Sequence, residues 1–193
     1  MKKEKIGLYF GSFNPIHYGH LILANHIVDN TNLKKICFVV SPQNPLKQLS
    51  SLLDNKTRLH LVNLAIEDND KFFASDVEFS LPYPSYTINT LNYLSQTYPE
   101  KEFALIIGQD NLVNFHKWKD NQKILEQYHI FVYPRENCEL SPLQNNNHIH
   151  LIDSPLINIS ATYIREQIKN NKDIRYLLPE KVCQEIIRKG LYR

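Results

Sequence analysis

Short apolar runs alternate along the chain with segments whose apolar residues follow helical spacing. The first run, at residues 6–10, is followed by a loop and by helical spacing over residues 21–28. The second run, at residues 36–40, precedes a loop with two prolines and a segment that Asp54 is placed to cap as a helix. The chain is therefore predicted to begin with two successive strand–helix units.

The same alternation continues toward the end of the chain. Four further runs short enough for strands lie at residues 72–79, 103–107, 130–133 and 149–152. Helical spacing returns near 86–94 and twice after residue 158, with Val182, Ile186 and Ile187 on one apolar side and Gly190 placed to end the last helix. This order predicts a mostly parallel sheet with helices on both faces.

We therefore predict a single α/β domain over residues 1–193, of the Rossmann-like, doubly wound class, with a helical C-terminal segment over 155–193. In this class, ligands bind at the carboxyl ends of the strands, where the strand order reverses. Glycine supports that location. The chain has only 5 glycines in 193 residues, and Gly7, Gly11 and Gly19 all lie near the first predicted strand, where backbone freedom and close approach are concentrated.

Composition excludes several classes of partner. The 22 Lys and Arg residues against 20 Asp and Glu give a net charge of +2, too weak a field to favour a nucleic-acid polymer. No stretch approaches the roughly 18 apolar residues of a membrane span. The three cysteines, Cys37, Cys138 and Cys183, are widely and irregularly spaced, which fits reduced thiols in a cytoplasmic protein.

The segment GSFNPIHYGH, at residues 11–20, carries the first candidate chemistry. Pro15 is placed to fix a first helical turn, and His17 and His20, three residues apart, would share one face of the helix. At a helix N-terminus after a strand, two imidazoles and the exposed backbone amides can bind phosphate oxygens. Two alternatives are a merely packed or solvated histidine and a zinc pair, although no further ligand lies at zinc-binding spacing.

The segment ISATYIR, at residues 159–165, is the second candidate. Ser160 is placed as N-cap of a helix that carries Thr162 and Arg165 three apart on its polar side. The guanidinium could clamp a phosphate with two hydrogen bonds. Alone, the segment is more typical of a capped helix with a surface arginine than of a phosphate site.

Together, the two segments resemble the paired signatures of the HxGH nucleotidyltransferase superfamily. Within it, the chain resembles bacterial nicotinate mononucleotide adenylyltransferases almost end to end, also in SPQNPLK, PSYTINTL and LIIGQDNLVNFHKW. The phosphopantetheine branch usually has Thr in place of the first histidine, so His17 argues against it.

The resemblance implies transfer of AMP from ATP to nicotinate mononucleotide, with Mg²⁺ carried mainly by the ATP. It assigns catalysis to His17, His20 and Arg165. The other residues implied to bind ATP are Gly11, Ser12, Phe13, Gly108, Asp110, Ser160 and Thr162. Those implied to bind the mononucleotide are Ser12, Lys47, Thr87, Trp118 and Arg135.

Three positions depart from the family pattern: Phe10, Asn14 and Ala161 replace a frequent Gly, Asp and Ser. Trp118, among His and Lys residues, could stack on the nicotinate ring or pack under its own loop. The alternatives for function are a sister enzyme with another acceptor (nicotinamide mononucleotide or phosphopantetheine) and a nucleotide sensor without turnover. A homo-oligomer is compatible with the sequence, which does not specify one.

Overall fold

A computed structural model describes residues 3–42 and 52–193 of the chain. Its centre is a six-stranded sheet in the order β3-β2-β1-β4-β5-β6, in which every neighbouring pair is parallel. The strands are β1 (Glu4–Gly11), β2 (Lys35–Val40), β3 (Phe72–Ser75), β4 (Lys101–Gly108), β5 (Ile130–Tyr133) and β6 (Ile149–Leu151). The strand order reverses between β1 and β4, so the predicted Rossmann-like class is confirmed.

Helices connect the strands and cover both faces of the sheet. They are α1 (Tyr18–Asn30), α2 (Asn55–Ile66), α3 (Thr87–Thr97), α4 (Gln109–Val113), α5 (Asn121–Gln127), α6 (Ala161–Lys169) and α7 (Glu180–Lys189). Within the described residues, no helix is long and apolar enough to cross a membrane.

The core consists of two apolar clusters, one on each face. Alternate strand residues point to opposite faces, so Leu8 belongs to the cluster covered by α3 and α5, and Tyr9 to the cluster covered by α1, α2, α6 and α7. Their β4 neighbours Leu105 and Ile106 divide in the same way, and all four are almost fully buried. Both helical layers are thus fixed to the two central strands, whose carboxyl ends meet at the reversal point.

The structure corrects three local predictions. Strand β3 ends at Ser75 rather than continuing to residue 79, because the chain then turns into a 3-10 helix. That turn buries the Glu78 carboxylate, which accepts a hydrogen bond from the Thr90 hydroxyl at 2.8 Å. Pro15 lies before the N-cap of α1 rather than in its first turn. Contrary to the prediction, Ile187 does not share the apolar side of α7 with Val182 and Ile186. Those two side chains are buried against the core, whereas Ile187 is 56% exposed.

Two predicted helix boundaries are confirmed. The Asp54 carboxylate accepts a hydrogen bond from the Thr57 backbone N–H at 2.9 Å and caps α2. Gly190 ends α7 in the left-handed conformation, with a φ of 61°.

Candidate active site

The two histidines of the first motif stack on each other at the start of α1. His17 is the N-cap residue and His20 the third residue of the helix; their ring centroids are 3.8 Å apart. The His17 backbone N–H donates to Nδ1 of His20 at 3.3 Å. Gly19 permits this packing, since a Cβ there would lie 3.0 Å from the His17 ring. The predicted shared face is confirmed.

Both imidazoles are held in the neutral form. Burial, and next the charge of Arg135, lower the pKa of His17 to about 4. Burial, His17 and Arg135 together lower the pKa of His20 well below its usual value. Nδ1 of His17 is buried without a hydrogen-bond partner. Each ring can therefore donate one N–H to an anion without already carrying a charge.

A cavity of about 370 Å³ lies at the carboxyl edge of the sheet, beside these histidines. Its walls come from three stretches: β1 and the start of α1, residues 133–136 after β5, and residues 154–161 up to the start of α6. Ser154 is one of the lining residues, and its hydroxyl is buried without a hydrogen-bond partner among the described residues. The two motifs, separated by more than 130 residues, thus border the same space.

Arg165 joins the two motifs directly. Its Nη1 donates to the backbone carbonyl of Asn14 at 2.8 Å, and its Nη2 donates to the Thr162 hydroxyl at 3.2 Å. The side chain is buried and is not among the groups that line the cavity. Ser160 caps α6 as predicted, since its Oγ accepts from the Tyr163 backbone N–H at 3.1 Å.

Residues 108–110, which carry Gly108 and Asp110, form a neighbouring wall together with Arg135. Arg135 lines the cavity, donates to the Tyr133 hydroxyl at 3.1 Å and lies 3.7 Å from the Asp110 carboxylate. A Cβ at Gly108 would meet that carboxylate, so a side chain there would displace Asp110 from this position. Arg135, expected at the mononucleotide, therefore lies in the same cavity as the histidines.

The structure does not bring the remaining predicted residues into that cavity. Thr87 begins α3, and Trp118 is a half-buried residue whose ring lies 5.1 Å from Phe115 and packs against the α3–α5 cluster. Gly11 ends β1, and Ser12 and Phe13 begin the loop beneath the histidines; the Phe13 side chain is 2% exposed. Lys47 lies outside the described residues.

Sequence reasoning missed two buried residues next to the site. Arg58 is fully buried and donates to the backbone carbonyls of Ser12, Ser41, Pro42 and Leu53. Tyr192, next to the end of the chain, donates to the Asn14 side chain at 2.9 Å. Their partners are mostly main-chain atoms far away in sequence. The one available signal was that Arg58 directly precedes the apolar positions Leu59, Leu61 and Val62 of α2.

Comparison with known proteins agrees with this geometry. The family model described as cytidylyltransferase-like matches residues 8–167. A Flavobacterium psychrophilum protein described as a probable nicotinate-nucleotide adenylyltransferase is 53% identical over 191 residues, which cover 98% of this chain and 99% of the relative. A Bacteroides fragilis protein of the same description is 47% identical, with 97% and 94% covered. The chain belongs to the nicotinate-nucleotide adenylyltransferase family.

The fold of this adenylyltransferase is shared by a solved structure of Plasmodium falciparum nicotinic acid mononucleotide adenylyltransferase complexed with NaAD. The TM-score is 0.80 at 20% identity, with 98% of this chain and 97% of the other covered. This structure confirms the fold, and the relatives named above confirm the family resemblance. The two motifs border one cavity of this adenylyltransferase.

Proposed function

We propose that the cavity at the carboxyl edge is where this adenylyltransferase transfers the AMP part of ATP to nicotinate mononucleotide and releases pyrophosphate. Its activity follows from family membership. One observation carries the proposed location: His17, His20 and the Ser160-capped start of α6 face a common space, which Arg135 also lines. That arrangement suits a polyanion, because helix N-termini, imidazole N–H groups and a guanidinium all stabilise phosphate oxygens.

The proposed reaction is a direct in-line displacement. An oxygen of the 5′-phosphate of the mononucleotide forms a bond to the α-phosphorus of ATP as the bond from that phosphorus to the pyrophosphate oxygen breaks. The second pKa of a phosphate monoester is about 6, so the attacking oxygen is already largely ionised at neutral pH and needs no general base. With a pKa of about 4, His17 is a poor base, which supports a donor role for it.

Catalysis then depends on aligning two anions and stabilising the negative charge on the leaving pyrophosphate. We assign the hydrogen bonds to that charge to His17 and His20, with the free backbone N–H groups at the start of α6. Arg165 holds the two motifs together through Asn14. Direct contact between Arg165 and the phosphates stays a prediction, as do the binding roles of Gly11, Ser12, Phe13, Gly108, Asp110, Ser160 and Thr162.

Magnesium is proposed to arrive with ATP as part of the substrate. Among residues 3–42 and 52–193, no group of three or more His, Cys, Asp or Glu side chains is arranged to hold a metal ion. An ion bound by phosphate oxygens and water fits such a site, since Mg²⁺ usually keeps several waters and takes few protein ligands. When bound, it would neutralise charge on the triphosphate.

For the acceptor, we propose a site that extends from Arg135 and Asp110 toward Thr87 and Trp118, with Ser12 and Lys47 as further contacts. The resemblance supports this assignment, and so does the position of α4, which carries Asp110 on the way from β4 to Trp118. Residues 155–193 are proposed to complete the ATP site as part of a single domain. The cytoplasmic location expected from the cysteines stays a prediction.

A pyrophosphate-release assay with ATP, Mg²⁺ and a panel of mononucleotides tests the proposal. We expect kcat/KM for nicotinate mononucleotide to exceed that for the nicotinamide form by roughly 10- to 150-fold. This ratio corresponds to the contribution of about 1.5–3 kcal/mol from one hydrogen bond to a charged group. Equal kcat/KM for acid and amide would overturn the preference. ATP binding without pyrophosphate release would favour the sensor alternative.

A further inference from the structure

Phe13 occupies a strained position beneath the histidine pair. Its φ is 43°, in the left-handed region that bulky residues rarely adopt, and its side chain is buried. The ring lies 5.1 Å from the ring of His20 at an interplanar angle of 76°, an edge contact. The conformation of Phe13 therefore sets where the His20 ring can rest.

Hydrogen bonds fix the backbone on both sides of Phe13. The Ser12 carbonyl accepts from Nη1 of Arg58 at 2.6 Å, and the Asn14 carbonyl accepts from Nη1 of Arg165 at 2.8 Å. Both arginines are buried. A residue with a strained backbone costs about 1–3 kcal/mol, so it persists only where several surrounding contacts hold it in that conformation. These two hydrogen bonds are among those contacts.

The side chain of Asn14 adds a third restraint, from the far end of the chain. Its Oδ1 accepts from the Tyr192 hydroxyl at 2.9 Å and from the Leu53 backbone N–H at 3.2 Å. Because the Leu53 amide can only donate, the oxygen of Asn14 must face it. The usual Asp at position 14 would offer an oxygen in the same place, so this departure from the family pattern keeps the acceptor.

Tyr192 is well suited to this contact. It is 9% exposed and packs in the same cluster as Phe13, two residues after Gly190 ends α7. Burial raises the pKa of its hydroxyl well above the ordinary value, so the hydroxyl keeps its proton and donates. Tyr192 is not among the groups that line the cavity, so any effect on the reaction is indirect, and its hydrogen bond to Asn14 is the polar link toward the site.

We propose that Tyr192 is a positioning residue for adenylyl transfer: by holding Asn14, its hydroxyl keeps Phe13 in the left-handed conformation that supports His20. The proposal rests on the role given above to His20. It goes beyond that role because it makes the penultimate residue of the chain part of the geometry of the phosphate site.

Tyr192→Phe removes the hydroxyl alone, and Tyr128→Phe is the matched control. Tyr128 is equally buried; its hydroxyl contacts Ser95 and Asn92 at 3.2 and 3.3 Å in the cluster on the opposite face. Well below both melting temperatures, we expect Tyr192→Phe to lower kcat about three- to tenfold with little change in KM for ATP, the effect of one lost hydrogen bond. Tyr128→Phe should stay within about twofold of wild type. Equal kcat for Tyr192→Phe and wild type would overturn the proposal.

A double variant separates positioning from mere stability. If Tyr192 acts through His20, Tyr192→Phe should cost nothing further in a His20→Ala background. If the two substitutions lower kcat by factors that multiply in the double variant, the Tyr192 hydroxyl does not act through His20, and the proposal is contradicted.

The ring signals of His20 in NMR spectra provide a readout that needs no turnover. Tyr192→Phe should shift them and leave those of His129, at the other edge of the sheet, unchanged; an unshifted His20 would contradict the proposal. If wild-type enzyme releases no pyrophosphate, the proposed function fails, whereas this spectrum still decides whether Tyr192 positions His20.

Discussion

Two histidine pairs lie at opposite edges of the same sheet. At the carboxyl edge, His17 and His20 stack with ring centroids 3.8 Å apart beside the larger cavity. At the amino edge, Nε2 of His150 and Nδ1 of His129 are 2.8 Å apart and line a second cavity of about 280 Å³. By composition alone, the two pairs are equivalent.

The two pairs lie beside helix ends of opposite partial charge. His17 and His20 are part of the N-terminal turn of α1, where the positive end of the helix dipole favours anions. The amino-edge cavity is bordered instead by Asn30 and Thr31, at the C-terminal end of the same helix, where carbonyl groups repel anions. A pair of histidines thus becomes a candidate phosphate site through the element that carries it.

The partners of the two pairs differ as well. His129 and His150 share a hydrogen bond with each other, and beside them Lys5 pairs with Glu102 at 2.8 Å, so its charge is already compensated. His17 keeps an unpartnered buried Nδ1. The carboxyl-edge pair therefore retains unused hydrogen-bonding capacity, and the amino-edge pair uses part of its own internally.

Removal of one histidine from each pair is expected to give the largest difference in turnover between the two edges. Loss of a preorganised donor typically lowers turnover by roughly 10²–10³, so His20→Ala should lose that much kcat. His129→Ala should stay within about twofold of wild type. The measurement is pyrophosphate release by variants whose circular dichroism confirms folding; a near-normal His20→Ala would remove the assigned role.

Arg165→Ala tests the link between the two motifs. We expect a similar kcat loss of roughly 10²–10³, because the variant releases the Asn14 carbonyl from α6 and removes the guanidinium. It should also unfold more easily, by about 1–3 kcal/mol, since a buried carbonyl loses its partner. Wild-type turnover in the folded variant would contradict the role given to Arg165.

The pH dependence of the free energy of unfolding tests whether the fold holds His17 in its neutral form. His17 has a folded pKa of about 4 against 6.5 unfolded, so below pH 6.5 the unfolded chain takes up a proton that the folded chain does not. Its contribution is complete above pH 6.5 and is lost as the pH falls toward 4, by about 2 kcal/mol at pH 5. Urea unfolding at pH 7.5 and pH 5 measures it.

His17→Gln should reduce that pH dependence by about the same 2 kcal/mol, because glutamine does not titrate in this range. An unaltered pH dependence in His17→Gln would show that His17 is not held neutral by the fold.

The smallest expected effect concerns the amino edge. His150→Gln removes one member of the hydrogen-bonded pair but no group of the proposed site, so we expect kcat and the KM for ATP within about twofold of wild type. A clear rise in the KM for ATP would mean that the two edges are coupled.

The sequence was informative wherever local rules decide the structure. The convergence of the two motifs followed from parallel strands, whose carboxyl ends meet at one edge, and the caps at Asp54, Ser160 and Gly190 followed from local chemistry. The alternation of strands and helices predicted the fold class for the same reason.

The restraints beneath the site were not predictable in this way. Arg58 and Tyr192 act through hydrogen bonds to loops distant in sequence, and such partners leave no periodic pattern. Arg135 meets the histidines because β5 lies beside β4, one strand from the reversal point, a neighbourhood that only the strand order reveals.

Binding of a non-hydrolysable ATP analogue, followed residue by residue by NMR, tests whether the two motifs bind one triphosphate. With α,β-methylene-ATP and Mg²⁺, we predict that the signals of His17, His20 and the backbone amides of Ser160 and Ala161 shift together at one affinity, while His129 and His150 stay unchanged. Shifts confined to one motif, or centred on the amino-edge pair, would contradict the account.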